Sequence, residues 1–266
     1  MIGQKFVRNL IERRTLLYQL VWRDFEQRYV GSAAGWLWGI IHPLVQLLSW
    51  TFVFHVCMKS EVPPGEVTQN YTLFLVCGYL PWLLFNETVT RSAASLLEHT
   101  NLITKTVFPA EMVPISVFFS SLLNHLLAVI VAIAVVALWE NHFGIMLLLL
   151  PVYTLLLGLF AIGIGWIVAA LQVYVRDTAQ MLSVILTFWF WMTPIFISER
   201  QVPENVRFVV QWNPLSYIVR AYRERMLTYQ LPTAGDFAVI VATSAAAFVV
   251  GGLVFRHLKR GFADVL

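Results

Sequence analysis

Aromatic rings are the residues of this sequence whose type and spacing most suggest chemistry. Trp36, Trp38, Trp50, Phe52 and Phe54 crowd one apolar stretch, and Phe188, Trp189, Phe190 and Trp191 stand consecutively in another. Four consecutive rings point around a whole helix, so some must face protein or a lumen. A ring-lined path suits sugars, whose C–H faces stack on aromatic surfaces while their hydroxyls tolerate water. Ordinary helix packing and interfacial belts are the other use of the same rings. The titratable residues offer less. No glycine-rich loop ends in Gly-Lys, so there is no phosphate cradle for ATP, and HExxH and CxxC spacings are missing. His42, His55 and His125 fall in apolar runs with no spacing that gathers them as ligands, and they read as buried, hydrogen-bonded histidines. Cys57 and Cys77 read as packing residues. Asp24, Glu98, Glu111 and Asp177 form no convergent acid–base set, which argues against a membrane-bound transferase.

The elements that must position these rings are legible from where charge is missing. The 266 residues are 59% hydrophobic and 12% charged, about half the usual charged share. A soluble surface cannot be built from so few charges. A net charge of +3 is too small to suggest a nucleic-acid partner. Six windows contain no Asp, Glu, Lys or Arg: 29–58, 67–86, 112–139, 141–175, 178–198 and 237–255. Each approaches or exceeds the ~20 apolar residues that cross a bilayer as a helix. The runs are continuous, not alternating, so a β-barrel is excluded. The expectation is an all-α polytopic membrane protein: one transmembrane domain over 1–266 with six transmembrane helices, an N-terminal amphipathic interface helix, and re-entrant helices between spans five and six.

An even span count puts both termini on one side. With the N-terminus inside, twelve of the eighteen Lys and Arg residues lie on inner segments, as the positive-inside rule requires. Arg200, Arg207, Arg220, Arg223 and Arg225 dissent, all in one outer segment, 199–236. The N-terminus lacks an apolar core and cleavage site, so no cleaved signal peptide is expected. The spans carry no charge at bilayer depth, where ion-coupled carriers usually hold their coupling ion. A transporter built this way draws its energy from another subunit.

Between the spans, three segments stand out. In 1–30, Leu10, Leu17, Val21 and Phe25 form an apolar stripe with Arg13, Arg14 and Arg23 around it. Such a helix lies in the lipid headgroup layer or packs on the protein's own bundle. The inner loop 91–111 carries Leu96, Leu97, Leu102, Ile103, Val107 and Phe108, too apolar for a solvated connector. It is expected to dock on a partner protein. In 199–236, the run 208–219 is too short to span, and Asn213-Pro214 breaks it into two short helices.

The stretch RDFEQRYVGSAAGWLWGIIHPL at 23–44 resembles the start of the membrane subunits of type-2 ABC exporters, in the branch that exports O-antigen, teichoic acid and capsule-like polysaccharides. The residues that carry it are Arg23, Asp24, Arg28, Tyr29, Ser32, Gly35, Trp36, Trp38 and Pro43. The loop NLITKTVFPAEMVP at 101–114 is similar to the family's, with Asn101, Lys105, Phe108, Pro109, Glu111 and Pro114 in place. Further matches are Val175-Arg176-Asp177, Pro194, Asn213-Pro214 and Gly261-Phe262-Ala263-Asp264. Ala34 stands where the family often has Leu, and IFIS after Pro194 lacks a frequent aromatic. The resemblance implies a bacterial inner-membrane permease that hydrolyses nothing itself. It implies a homodimer joined to two ATP-binding subunits that hold ATP and Mg, with no cofactor in this chain. The substrate implied is a glycan on a polyprenyl phosphate or diphosphate. Coupling to the ATPase falls to Asn101, Leu102, Lys105, Phe108, Pro109 and Glu111. Arg23, Arg28 and Tyr29 would gate or hold the substrate phosphate. Trp38, Phe52, Phe188 and Trp191 would line the pore, and helical phase turns Trp36 away from Trp38. Export of a small lipid or drug is the alternative within the family.

Overall fold

The computed structural model describes residues 13–105, 108–140 and 145–265, and every regular element among them is helical. α1 is Arg14–Gln27. A 3₁₀ turn over Gly35–Leu37 leads into α2, Trp38–Thr51, and a π turn over Phe52–Cys57 completes the first apolar segment. α3 is Tyr71–Glu98, α4 Thr100–Lys105, α5 Met112–Glu140 and α6 Leu150–Tyr174. α7 is Thr178–Met192, α8 Arg207–Gln211, α9 Pro214–Leu227 and α10 Ala234–Leu258, and the short α11 is Phe262–Val265.

Five segments are long and apolar enough to cross a bilayer: Gly35–Cys57, Tyr71–Glu98, Met112–Trp139, Ile145–Tyr174 and Ala234–Gly261. The sixth expected span is α7. Its 15 residues reach about 22 Å at 1.5 Å per residue, short of the ~30 Å hydrocarbon. The reason is local. Pro194 drives Thr193 out of the helical region, to ψ 132°, and the helix stops there.

α3 is the centre of the bundle. It packs against α5, α6, α7 and α9, and 78% of its most apolar stretch is buried, against 6% for the first segment. Asn70 starts it, its side-chain oxygen accepting from the N–H groups of Thr72 and Leu73 at 3.0 and 3.3 Å. The helix then runs through to Glu98, so much of the expected loop 91–111 is helical and the connector shrinks to 99–111. It persists past its charges because Thr88, Ser92 and Ser95 give it a small, buried face. On the other flank α10 lies along α6. A Cβ on Gly251 would strike the Gly163 carbonyl, so the two backbones touch there, as small residues allow in membrane helices.

The contacts sort the molecule into two ends. At one, α1 meets the end of α3, and Lys259 pairs with Glu111 just past α4. At the other, the Tyr71 hydroxyl donates to the Phe196 carbonyl, and Ser198 donates to Glu66.

Candidate functional site

The α1 end carries the densest set of charged contacts. Asp24 on α1 accepts two hydrogen bonds from Arg91 Nη2 on α3, at 2.7 and 2.9 Å. Arg28, one turn later, pairs with Glu87 on α3, donates to Ser121 Oγ on α5 at 3.1 Å, and lies 3.7 Å from Asp24. The Tyr29 hydroxyl donates to Asn124 Oδ1 at 2.8 Å. Burial lifts the Asp24 carboxyl above its ordinary 3.8, while the charge of Arg28 pulls the other way. The network pins α1 against α3 and α5. The amphipathic helix packs on the bundle: Leu20 is buried, Leu17, Val21 and Phe25 are partly so, and Arg13, Arg14 and Arg23 are exposed. Leu10 lies outside the described residues.

The three residues expected at a substrate phosphate are therefore dispersed. Arg28 and Tyr29 point into the bundle and are engaged with protein partners, whereas Arg23 is open to solvent. Glu87, Arg91, Ser121 and Asn124 are the partners that sequence reasoning did not single out. A signal existed for two of them: Glu87 and Arg91 are one turn apart, so both present one helical face.

Of the expected coupling residues, Asn101 is exposed, and Leu102, Phe108, Pro109 and Glu111 are partly buried. Lys105 ends α4, and its side chain lies outside the described residues. Phe108 packs on the chain's own core, as does Ile103. Glu111 is tied down twice, through its carboxylate to Lys259 and through its carbonyl, which accepts from Trp166 Nε1 at 3.0 Å.

Trp38, Phe52, Phe188 and Trp191 are all exposed on the single chain. Trp36 is exposed as well. Gly35–Leu37 is 3₁₀ and Phe52–Cys57 is π, and neither keeps the 100° step of an α-helix on which the expected phase of Trp36, Trp38 and Phe52 rests. The joint between the first segment and α7 is built from other rings. Trp50 lies 5.4 Å from Phe190, 5.0 Å from Phe196 and 4.8 Å from Tyr79. Two histidine readings also change. His125 is buried, its Nε2 3.2 Å from the Tyr222 hydroxyl, whereas His42 and His55 are exposed. Cys77 is buried but Cys57 is exposed.

At the opposite end, the five dissenting arginines are accounted for one by one. Arg200 pairs with Glu66, Arg207 with Glu204, Arg225 with Glu224, and Arg220 with both Glu199 and Asp236. Arg223 donates to two backbone carbonyls. Burial raises the Glu199 carboxyl, and the neighbouring Arg220 offsets part of that rise. The expected break at Asn213-Pro214 is present: α8 ends at Gln211, and the Asn213 side chain caps α9 by accepting from Leu215 N–H at 3.1 Å.

A bundle of apolar helices with a docked amphipathic helix at one end and the broken pair α8–α9 at the other defines an all-α polytopic membrane protein. The chain belongs to the ABC-2 type transporter family, whose pattern covers residues 15–227. It is 28% identical over 262 residues to the O-antigen export system permease protein RfbA of Myxococcus xanthus, covering 98% of both chains. It is 29% identical over 256 residues to the protein of that name from Klebsiella pneumoniae, covering 94% of this chain and 95% of the other. To the polysialic acid transport protein KpsM of Escherichia coli it is 23% identical over 236 residues, covering 88% and 90%.

Proposed function

We propose that this chain is the permease of an ABC exporter that moves a lipid-linked polysaccharide outward across the bacterial inner membrane. The observation that carries the reading is similarity along nearly the whole chain to permeases of O-antigen export. Two copies pair with each other and with two ATP-binding subunits, which hold ATP and Mg. Both termini are cytoplasmic, as the inner excess of Lys and Arg favours. α4 and its flanks dock on the ATPase. The exposed rings of the first segment and α7 face one another across the dimer and line the path, with α7 as the sixth, short crossing and α8–α9 dipping into the outer leaflet. A polymer must slide, so many weak contacts serve better than one strong one. Ring stacking supplies about 1 kcal/mol per contact. A fixed charge in the path would hold sugar or phosphate too long. Of the three residues expected at the phosphate, Arg23 is the one open to solvent, whereas Arg28 and Tyr29 hold α1 in place.

The test is genetic and biochemical. Deleting the gene in a strain that displays a lipid-linked polysaccharide should leave that polymer inside, and the unaltered chain should restore it to the surface. Leu102→Asp places charge on α4 and spares Phe108, which serves the chain's own core. It is expected to cut export and co-purification of the ATP-binding subunit several-fold while membrane insertion persists. Full co-purification with full export would refute the docking role.

A further inference from the structure

At the end of the bundle opposite α4, a cleft of about 590 Å³ opens between α8, the start of α9 and the first turns of α10. That volume lies within the ~300–1,000 Å³ of small-molecule sites. Its lining is mixed in a particular way. Trp212 stands in the wall 86% exposed, the most exposed large aromatic among the described residues. Tyr217 forms a second ring surface and is held by its hydroxyl, which donates to the Gln211 carbonyl at 3.0 Å. Arg220 is gripped by Glu199 at 3.0–3.2 Å and by Asp236 at 2.9 Å, and its guanidinium carbon sits 5.1 Å from the centre of the Tyr217 ring.

The charge balance decides what such a cleft takes. Two carboxylates face one guanidinium, so the lining carries a net negative charge and a phosphate is repelled. Each carboxylate still has lone pairs that Arg220 does not fill, and these accept from hydroxyl groups. Ring faces beside carboxylate acceptors match a neutral polyhydroxyl, with C–H faces on Trp212 and hydroxyls on Glu199 and Asp236. The wall is also tied to the transport path. Asn213, the next residue, accepts from Trp189 Nε1 at 2.9 Å and donates to Thr193 Oγ1 at 3.0 Å, which fastens it to the end of α7. Exposed Phe188 and Trp191 lie on that same helix.

We propose that this cleft is a subsite for neutral sugar residues of the glycan on the outer side of the membrane, holding the chain as it emerges. The inference rests on the polysaccharide-export reading above. A sugar held there, at the outer edge of the bilayer, opposes backward sliding while the next stretch is pushed through.

The experiment uses the whole transporter, this chain with its ATP-binding partner, in detergent. The probe is the producing strain's polysaccharide stripped of its lipid. Saturation-transfer NMR should show magnetisation passing from the protein to the sugar protons. Trp212→Ala should lower that transfer at least threefold, and Trp212→Phe, which keeps a ring, should retain more than half. Trp212 is at the surface, so both variants should fold, and circular dichroism checks this. Equal transfer in Trp212→Ala, or none with the unaltered chain, overturns the proposal. A benzophenone amino acid in place of Trp212, illuminated in exporting cells, supplies the second reading. Crosslinking to polysaccharide supports the subsite, and capture of phospholipid alone overturns it in favour of a headgroup site. Failure of the export reading looks different: surface polysaccharide would then survive deletion of the gene, whatever the cleft binds.

Discussion

Arg223 shows how a full charge is kept inside this protein by backbone carbonyls and a ring face, with no direct ion pair among the described residues. Its Nε donates to the Phe74 carbonyl at 3.0 Å and its Nη2 to the Ile195 carbonyl at 2.7 Å. The guanidinium carbon lies 3.5 Å from the centre of the Phe74 ring. Gly78 makes the room, since a Cβ there would collide with the guanidinium. The planar fork therefore joins α3, α9 and the segment after α7 through one side chain. Arg223→Ala strands the Ile195 carbonyl, at about 1–3 kcal/mol for a buried group left unsatisfied, and takes from the Phe74 carbonyl, already bonded within α3, its second donor. Arg223→Lys keeps the charge, but a compact ammonium cannot serve both carbonyls and the ring together. Thermal unfolding of the purified protein should rank the unaltered chain above Arg223→Lys, and Arg223→Ala last. Equal melting of all three would show that the clamp contributes nothing. None of this was legible in the sequence. The spacing Arg220–Arg223–Arg225 predicts an amphipathic turn, yet Arg223 and Arg225 are buried. The partners of Arg223 come from 74 and 195, which no local pattern announces.

At the scale of elements, legibility followed the charge-free windows. Five spans emerged where Asp, Glu, Lys and Arg were missing, because the hydrocarbon admits such stretches and helices alone satisfy their backbone. The end of α3 was misjudged for the same reason: Glu87 and Arg91 resemble loop residues until their partners on α1 are known. The role of Arg28 was hidden likewise, since Glu87 and Ser121 are 59 and 93 residues away. The docking of α1 carries its own prediction. A raised carboxyl means that the folded protein holds the Asp24 proton more tightly than the unfolded chain does. Asp24's contribution to stability is then full below pH 3.8 and is lost as pH rises through the raised value. Mild acid should not release α1, and Asp24→Asn should leave it docked. Arg91→Ala instead takes away both bonds at 2.7 and 2.9 Å and leaves the carboxylate the looser 3.7 Å contact to Arg28. The cost is about 1–2 kcal/mol, below that of a fully buried pair because Arg91 is 29% exposed. Hydrogen exchange across α1 at pH 7 should rise in Arg91→Ala and stay near the original in Asp24→Asn. The reverse order would refute the assignment.

For the whole molecule, burial is lopsided. α3 is enclosed, while the first segment and α7 turn Trp38, Val45, Phe52, Val184, Phe188 and Trp191 outward. α10 also shows an apolar face, with Val249 and Leu253. In a bilayer either face can meet lipid, and a dimer must choose one. The proposed path requires the face of the first segment and α7. With the exposed Cys57 replaced by Ser, single cysteines at Val184 or Phe188 should yield disulfide-linked pairs of chains in membranes. Cysteines at Val249 or Leu253 should not. Crosslinking confined to the α10 positions would relocate the dimer and remove the ring-lined path. Composition pointed to these rings from the start. Which of them would stay open was not visible, because 3₁₀ and π turns broke the helical phase and Trp50 and Phe190 turned inward instead.

The tie between Lys259 and Glu111 gives the distal turn a use of its own. Glu111 follows the segment proposed to receive the ATPase stroke, and Lys259 lies 148 residues later. The intervening spans need not relay the motion, because one ionic tether bridges the two directly. The turn at 259–261 is thus a natural vibration pickup. A fluorophore on exposed Arg260 would register displacement of the docking segment from a position far along the chain, and an experimenter could listen to the engine from the distal end of the sequence.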